Sequence, residues 1–163
     1  MRGLLLILAL FALPAAVSAQ TVERVEISKF GIYTSRDISK SVRPDGIEEV
    51  IDGDSRWLQQ TDTIPARIGV KFGIRFKLEG APGAVTLRRV TIVPEPGLRP
   101  RPGKPIKRVE RDITLSTGDS IDAGWSFDHA YELLTGIWTI QIWQGDRKLA
   151  EKKFKVVPAE DRA

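Results

Sequence analysis

The feature that most constrains the fold is a strict alternation of residue types over residues 68–78. Every second position is large and apolar, and the positions between carry glycine or a basic residue: Val70, Phe72, Ile74, Phe76 and Leu78 against Gly69, Lys71, Gly73, Arg75 and Lys77. In a β-strand, successive side chains point to opposite faces, so this segment has one buried and one solvated face. Such strands are typical of antiparallel sheets in sandwiches and barrels.

Other apolar runs repeat this pattern between turns rich in glycine, proline and aspartate, and they lie at residues 25–33, 84–93, 106–115, 137–144 and 148–157. The last two predict a hairpin, because Gly145 and Asp146 tolerate the backbone of a tight turn. No amphipathic helical stretch exceeds about two turns. The sequence therefore predicts an all-β fold, an antiparallel β-sandwich.

Three local features refine this expectation. Gly31 predicts a bend or a bulge in the first strand, and a change of apolar phase after Arg88 and Arg89 predicts a β-bulge. Short helical turns are expected at most around residues 35–41 or 128–134. The polar segment 34–67 is expected to be an insertion or a long hairpin, with Trp57 pinned against the body of the domain.

The first nineteen residues have the three parts of a secretory signal peptide. Arg2 precedes an apolar run at residues 4–13, and small residues lead to an expected cleavage site after Ala19. The apolar run is too short to span a bilayer. We therefore expect a periplasmic or secreted protein without a membrane span, in which residues 20–163 form a single β-sandwich domain.

Composition narrows the possible functions. The chain has no cysteine, which excludes disulfides, thiol catalysis and cysteine-ligated zinc. Its 25 lysines and arginines against 21 acidic residues make it mildly basic, well short of the charge density expected for nucleic-acid binding. No cofactor is expected.

The stretch from Phe127 to Thr139, with Gln141-Ile142-Trp143 after it and Gly69-Val70-Lys71-Phe72-Gly73 upstream, resembles a family of small bacterial exported proteins known only as a domain of unknown function. The resemblance covers about residues 27–157. It implies an immunoglobulin-like β fold and a location in the bacterial envelope, and it supplies no functional residues. Tyr131, Leu133 and Trp138 fit a structural role, as in the tyrosine corner and buried tryptophan of such sandwiches.

Catalytic and metal sites find little support. The single histidine, His129, has Asp128 beside it and Ser126 and Ser120 nearby, which is the basis of a hydrolase alternative. No nucleophile-elbow motif accompanies these residues. One histidine and scattered aspartates do not make the usual zinc or calcium sets. We expect neither a catalytic nor a metal site.

Two surface features are the candidate binding residues. A proline-stiffened basic loop over residues 98–108 has no acid within it and carries Arg99, Arg101, Lys104, Lys107 and Arg108. Such a loop suits an anionic partner. The alternative is that it is a solvent-exposed loop that connects the two sheets. If Trp138 faces the core, strand alternation places Trp143 on the outer face of its sheet. An outward Trp143 either anchors a protein interface or stacks on a sugar ring, or else it is covered by residues 34–67.

These observations favour a non-enzymatic exported binding or accessory module of the bacterial envelope, whose partner is an envelope protein or an anionic envelope polymer. An exposed strand edge is a further means of accepting a partner. The alternatives are a carbohydrate or anionic-polymer binder using Trp143 and the basic loop, and an envelope hydrolase using His129.

Overall fold

A computed structural model describes residues 21–80 and 82–160, so the signal peptide expected at residues 1–19 lies outside the described residues. The described chain is built from strands and one 3-10 turn (Ala130–Glu132). The strands are β1 (Val22–Val42), β2 (Glu48–Gln59), β3 (Thr63–Ala66), β4 (Lys71–Gly80), β5 (Ala84–Ile92), β6 (Arg108–Ser116), β7 (Ser120–Ser126), β8 (Gly136–Gln144) and β9 (Arg147–Pro158).

The strands form two sheets, in the orders β2-β1-β4-β7 and β3-β9-β8-β5-β6. All pairings within them are antiparallel except that of β3 with β9. The all-β prediction is confirmed, as is the hairpin of β8 and β9 around Gly145 and Asp146. The helical turn expected around residues 128–134 is present as the 3-10 turn.

Aromatic and branched side chains fill the space between the sheets. Phe72, at the start of β4, contacts Phe127 and Phe154 with ring centroids 5.2 Å apart, and Trp138 at 5.9 Å. Trp138 is fully buried, and its indole N–H donates to the carbonyl of Leu134 at 2.8 Å. The alternation in β4 thus has the role that the sequence indicates, with its apolar face forming one wall of the core.

Strand β1 is about twice as long as the sequence predicts. Its first half pairs with β4 and its second half with β2, so the helical turn expected at residues 35–41 is wrong. Alternation and cross-strand pairing with β2 outweigh the polar composition of that segment. Gly31 lies next to a register shift at Ile32 and Tyr33 in the pairing with β2. It has a φ of +127° and is so close to the backbone of Gln59 that a β-carbon would collide with its carbonyl.

Residues 34–59 form a long hairpin, here called the β1–β2 hairpin, which reaches the other sheet. Near its tip, Arg43 donates to the carbonyl of Glu110 on β6 at 2.8 Å, and Ile47 is buried in the core. Trp57 packs on Tyr33 with ring centroids 5.2 Å apart. The hairpin therefore links the edge strand of one sheet to that of the other.

The bulge expected in the strand predicted at residues 84–93 is absent. β5 keeps one register with β6 from Ala84 to Ile92, so Arg89 lies on the same face as the buried Leu87. Val90 is also buried, but on the opposite face, where its cross-strand neighbours are Gln141 and Glu110. The bulge prediction was wrong because it assumed that the apolar side of the strand must always be the core side.

Candidate functional site

An open cleft of about 720 Å³ lies where the edge strands β6 and β7 meet the β1–β2 hairpin. Four arginines contribute to its walls: Arg36 from the hairpin, Arg75 from β4, Arg89 from β5 and Arg111 from β6. We call it the arginine cleft. Its volume is in the range of pockets that hold small ligands or short peptide segments.

Arg89 and Arg111 are a direct cross-strand pair on the inner face of their sheet, and both are half-buried. Among the described residues, no carboxylate lies within ion-pair distance of either guanidinium. Within residues 21–80 and 82–160, the pair makes one side-chain hydrogen bond, from Arg89 to the carbonyl of Gly124 at 3.3 Å. Burial, followed by the like charge of Arg111, lowers the pKa of Arg89 below its usual range.

Two of the acids in the cleft wall are already engaged. Asp122 holds Arg75 through two hydrogen bonds of 2.7 and 2.9 Å. Asp52 accepts from Lys71 at 2.6 Å, and also from Ser35 and Tyr33. The third acid, Asp54, is exposed, and its negative charge contributes to raising the pKa of Arg75, for which Asp122 is the main cause.

The contacts of Lys71 fix the hairpin above the cleft. Its ammonium group donates to Asp37 at 2.5 Å and to Asp52 at 2.6 Å, both on the β1–β2 hairpin. Tyr33 is buried against Gly124, where a β-carbon would come within 2.5 Å of the tyrosine hydroxyl. Burial, with Asp52 beside it, raises the pKa of Tyr33 well above its usual range, so this hydroxyl stays protonated.

The cleft also has an apolar side. Ile113 follows Arg111 on the same face of β6, and Ile121 lies on β7. From the hairpin come Ile38 and Ile51, which are 62% and 46% exposed. Isoleucines this exposed beside unpaired cations give the cleft a mixed character, suited to a ligand with an anionic and an apolar part.

The basic loop predicted from the sequence is partly neutralised by acids outside it. Lys107 pairs with Glu95 at 2.6 Å, and Arg108 pairs with Glu110 on its own strand. Two other arginines donate to backbone carbonyls: Arg99 to Gly103 at 3.0 Å and Arg101 to Pro44 at 3.3 Å. Lys104 is exposed.

Trp143 is half-buried on the outer face of its sheet, while Trp138, Ile140 and Ile142 are fully buried, as the alternation predicts. Its indole N–H donates to the side chain of Gln141 at 2.9 Å, and its cross-strand neighbours are Arg88 and Lys148.

The basic loop leaves β5 beyond Ile92, and Trp143 is paired four residues further back along the same strand. At the rise of a strand, four residues are about 13 Å. Arg108, the last residue of the loop, shares Glu110 with Arg88, a cross-strand neighbour of Trp143.

The hydrolase alternative requires a contact that the described residues do not make. The ring of His129 lies 3.5 Å from Glu48 and stacks on Tyr131, whereas the hydroxyl of Ser126 donates to Asp128 at 3.0 Å. Ser120, the other candidate serine, lines the arginine cleft. The histidine is therefore not hydrogen-bonded to either serine.

Next to His129, buried Glu132 accepts the backbone N–H groups of Asp128 and His129, each at 2.7 Å. Burial raises its pKa to about 7 in spite of these two hydrogen bonds. Desolvation of Tyr131, with Glu132 nearby, raises the pKa of that phenol to about 12. The tyrosine-corner hydrogen bond expected of Tyr131 is not found in residues 21–80 and 82–160, although the ring packs against the core.

Residues 21–80 and 82–160 contain no group of three or more histidine, aspartate or glutamate side chains placed to hold a metal ion. Within the same ranges, no helix has the length and hydropathy needed to cross a membrane.

Sequence reasoning missed Arg89 and Arg111, although the sequence holds a usable signal. Arg89 is in phase with Val85 and Leu87, and Arg111 is in phase with Val109 and Ile113. An arginine on the apolar face of two neighbouring strands is rare unless it is paired or serves a ligand. Reading the phase change as a bulge hid this pattern.

Comparison with known proteins agrees with the geometry of the fold. Residues 21–156 match the family model described as Domain of unknown function (DUF3859). The chain belongs to this family. It is also similar to the crystal structure of an immunoglobulin-like protein from Pseudomonas aeruginosa, with 26% identity and a TM-score of 0.60, over 86% of this chain and 100% of that one. No curated protein matches the chain. The expectations of a family known as a domain of unknown function and of an immunoglobulin-like architecture are both confirmed.

Proposed function

We propose that this DUF3859 protein is an exported, non-enzymatic binding module of the bacterial envelope that takes an anionic ligand in the arginine cleft. The observation that carries the proposal is the pair of half-buried guanidiniums, Arg89 and Arg111, which have no carboxylate partner among the described residues. The signal peptide expected at residues 1–19 supports export. Among the described residues, neither Ser120 nor Ser126 is hydrogen-bonded to His129, which supports a binding module over the hydrolase alternative.

The energetic argument is that two like charges side by side and partly desolvated are unfavourable in the free protein. Each loses hydration on burial, and they repel one another. An anion between the two guanidinium groups compensates for their lost hydration and offsets their mutual repulsion. The planar guanidinium group suits carboxylate or phosphate oxygens in particular because it can donate two parallel hydrogen bonds to them. The arrangement therefore favours the ligand-bound state.

Titration calorimetry with citrate, phosphate and acetate tests the proposal. We expect citrate to bind, and binding to weaken as salt is raised because the contact is ionic. Arg111→Gln and Arg89→Gln should each weaken citrate binding at least tenfold, while Lys104→Gln, in the basic loop, should leave it unchanged. Citrate binding that survives both cleft variants would refute the proposal.

The same variants separate the proposal from its alternative. If polyglutamate, an anionic polymer, binds and Lys104→Gln or Arg99→Gln weakens it while the cleft variants do not, the basic loop is the binding surface. Trp143→Ala then shows whether the tryptophan contributes.

A further inference from the structure

We infer that the natural anion is the terminal carboxylate of an extended peptide that ends in an apolar residue, so that the partner is a protein bound by its C-terminus. This rests on the proposed function and adds to it the chemistry of the ligand. It combines three features of one cleft: the arginine pair, the isoleucines and the outer edge of strand β7.

The first step is the position of the apolar surface relative to the charges. Ile113 lies two residues beyond Arg111 on the same face, and Ile121 and the exposed Ile38 and Ile51 complete that side of the cleft. A carboxylate held by the arginines therefore has an apolar surface next to it, where the last side chain of a peptide would lie. A simple inorganic anion would leave most of about 720 Å³ unused.

The second step is the backbone of β7, the outer strand of its sheet. Phe127, just after it, exchanges hydrogen bonds with Gly69 and Val70 on the β4 side. Because backbone groups alternate in direction along a strand, those of Gly124 and Asp122 point away from β4. The carbonyl of Gly124 accepts a hydrogen bond from Arg89, which lies in the other sheet, and this contact is consistent with a carbonyl that points away from β4.

The third step compares ligand types. An edge strand with outward N–H and C=O groups is the template on which an extended peptide adds as a further strand. An acyl carboxylate makes no use of these backbone groups, and it would place its chain among Arg36, Asp54 and Asp122 as well as the isoleucines. A peptide suits this mixture of polar, apolar and backbone surfaces.

The experiment uses matched peptides and the purified protein. The probe is the peptide Thr-Val-Thr-Val-Leu with a free C-terminal carboxylate. A fluorophore on its N-terminus allows binding to be measured by fluorescence anisotropy. Its controls are the same peptide with a C-terminal amide and the same peptide ending in serine. We expect the acid to bind at least tenfold more tightly than the amide, and more tightly than the serine peptide.

Protein variants then assign each preference to its residues. Arg111→Gln should abolish the difference between acid and amide. Ile51→Ser should remove the preference for leucine over serine, and Lys104→Gln should change nothing. Each variant is first checked for an unaltered far-ultraviolet circular dichroism spectrum and cooperative thermal unfolding.

The outcomes distinguish the two proposals. Equal binding of the acid peptide and the amide peptide overturns this inference. The fatty-acid anion decanoate is tested beside them. If decanoate binds and neither of these two peptides does, the ligand is an acyl carboxylate and this inference is also overturned. If citrate still binds in a manner dependent on Arg111, the proposed function survives that failure. If neither citrate nor any peptide binds, both fail.

Discussion

Arg111→Gln should stabilise the ligand-free protein. Arg111 and Arg89 are a direct cross-strand pair without a carboxylate partner among the described residues, so removing one charge removes a repulsion and leaves no acid unpaired. Glutamine keeps a polar end and part of the aliphatic stem. Most substitutions of half-buried residues destabilise, which makes the expected sign informative.

The magnitude follows from the pairing. Directly paired residues have β-carbons about 5 Å apart, and two unit charges roughly 6 Å apart repel by about 3 kcal/mol at an effective dielectric of about 20 and about 0.7 kcal/mol in water. The two side chains are half-buried, so a value between these limits applies. We expect a gain of about 1 kcal/mol in the free energy of unfolding, most of it lost at high salt.

Urea denaturation of the ligand-free protein at low and high salt measures this gain. Arg111→Lys keeps the charge and should give no stabilisation. Arg108→Gln, on the same strand but paired with Glu110, should stay within about 0.5 kcal/mol of the unmodified protein. A loss of stability in Arg111→Gln would show that the guanidinium is a structural element, and the reasoning behind the anion site would be refuted.

Three further perturbations test other parts of the structure. Because burial raises the pKa of Glu132 from its ordinary 4.5 to about 7, this group favours folding at low pH and loses that contribution as the pH rises through 7; Glu132→Gln should flatten the pH dependence of unfolding between pH 5 and 8, by up to about 3 kcal/mol. Lys71→Met breaks two ion pairs to the hairpin and should cost about 2 kcal/mol in urea denaturation, with faster amide exchange in the hairpin. Lys40→Met also breaks two ion pairs, but this lysine is more exposed, so the cost should stay under about 0.5 kcal/mol. Gly124→Ala places a methyl group 2.5 Å from the Tyr33 hydroxyl and should lower the unfolding free energy by about 2 kcal/mol; a thermally neutral variant would contradict the packing described for that site.

The sequence specified most of the fold because half-buried strands have a pattern with period two. That pattern located β4, the β8–β9 hairpin and the buried Trp138. It failed in the second half of β1, where polar residues lie in a hairpin whose stability comes from pairing with β2 and from Lys71, which is distant in sequence. Contacts of this kind leave no local signal.

The candidate site could be predicted only in part. The basic loop stood out because its charges are adjacent in sequence, yet the fold supplies Glu95 and Glu110 to two of its cations. Arg89 and Arg111 are more than twenty residues apart and become neighbours only through the register of β5 and β6. The charges that are adjacent in the sequence are partly neutralised by acids in the folded protein, whereas the two arginines that are adjacent in the folded protein are separate in the sequence.

The most direct test of the central claim is a titration of the protein with citrate followed by the side-chain Nε–Hε resonances of its arginines in ¹H–¹⁵N spectra. We expect the signals of Arg89 and Arg111 to shift in a saturable manner, with those of Arg99 and Arg108 unmoved as internal controls. Shifts confined to the loop arginines, or none at saturating citrate, would contradict the assignment of the arginine cleft as the anion site.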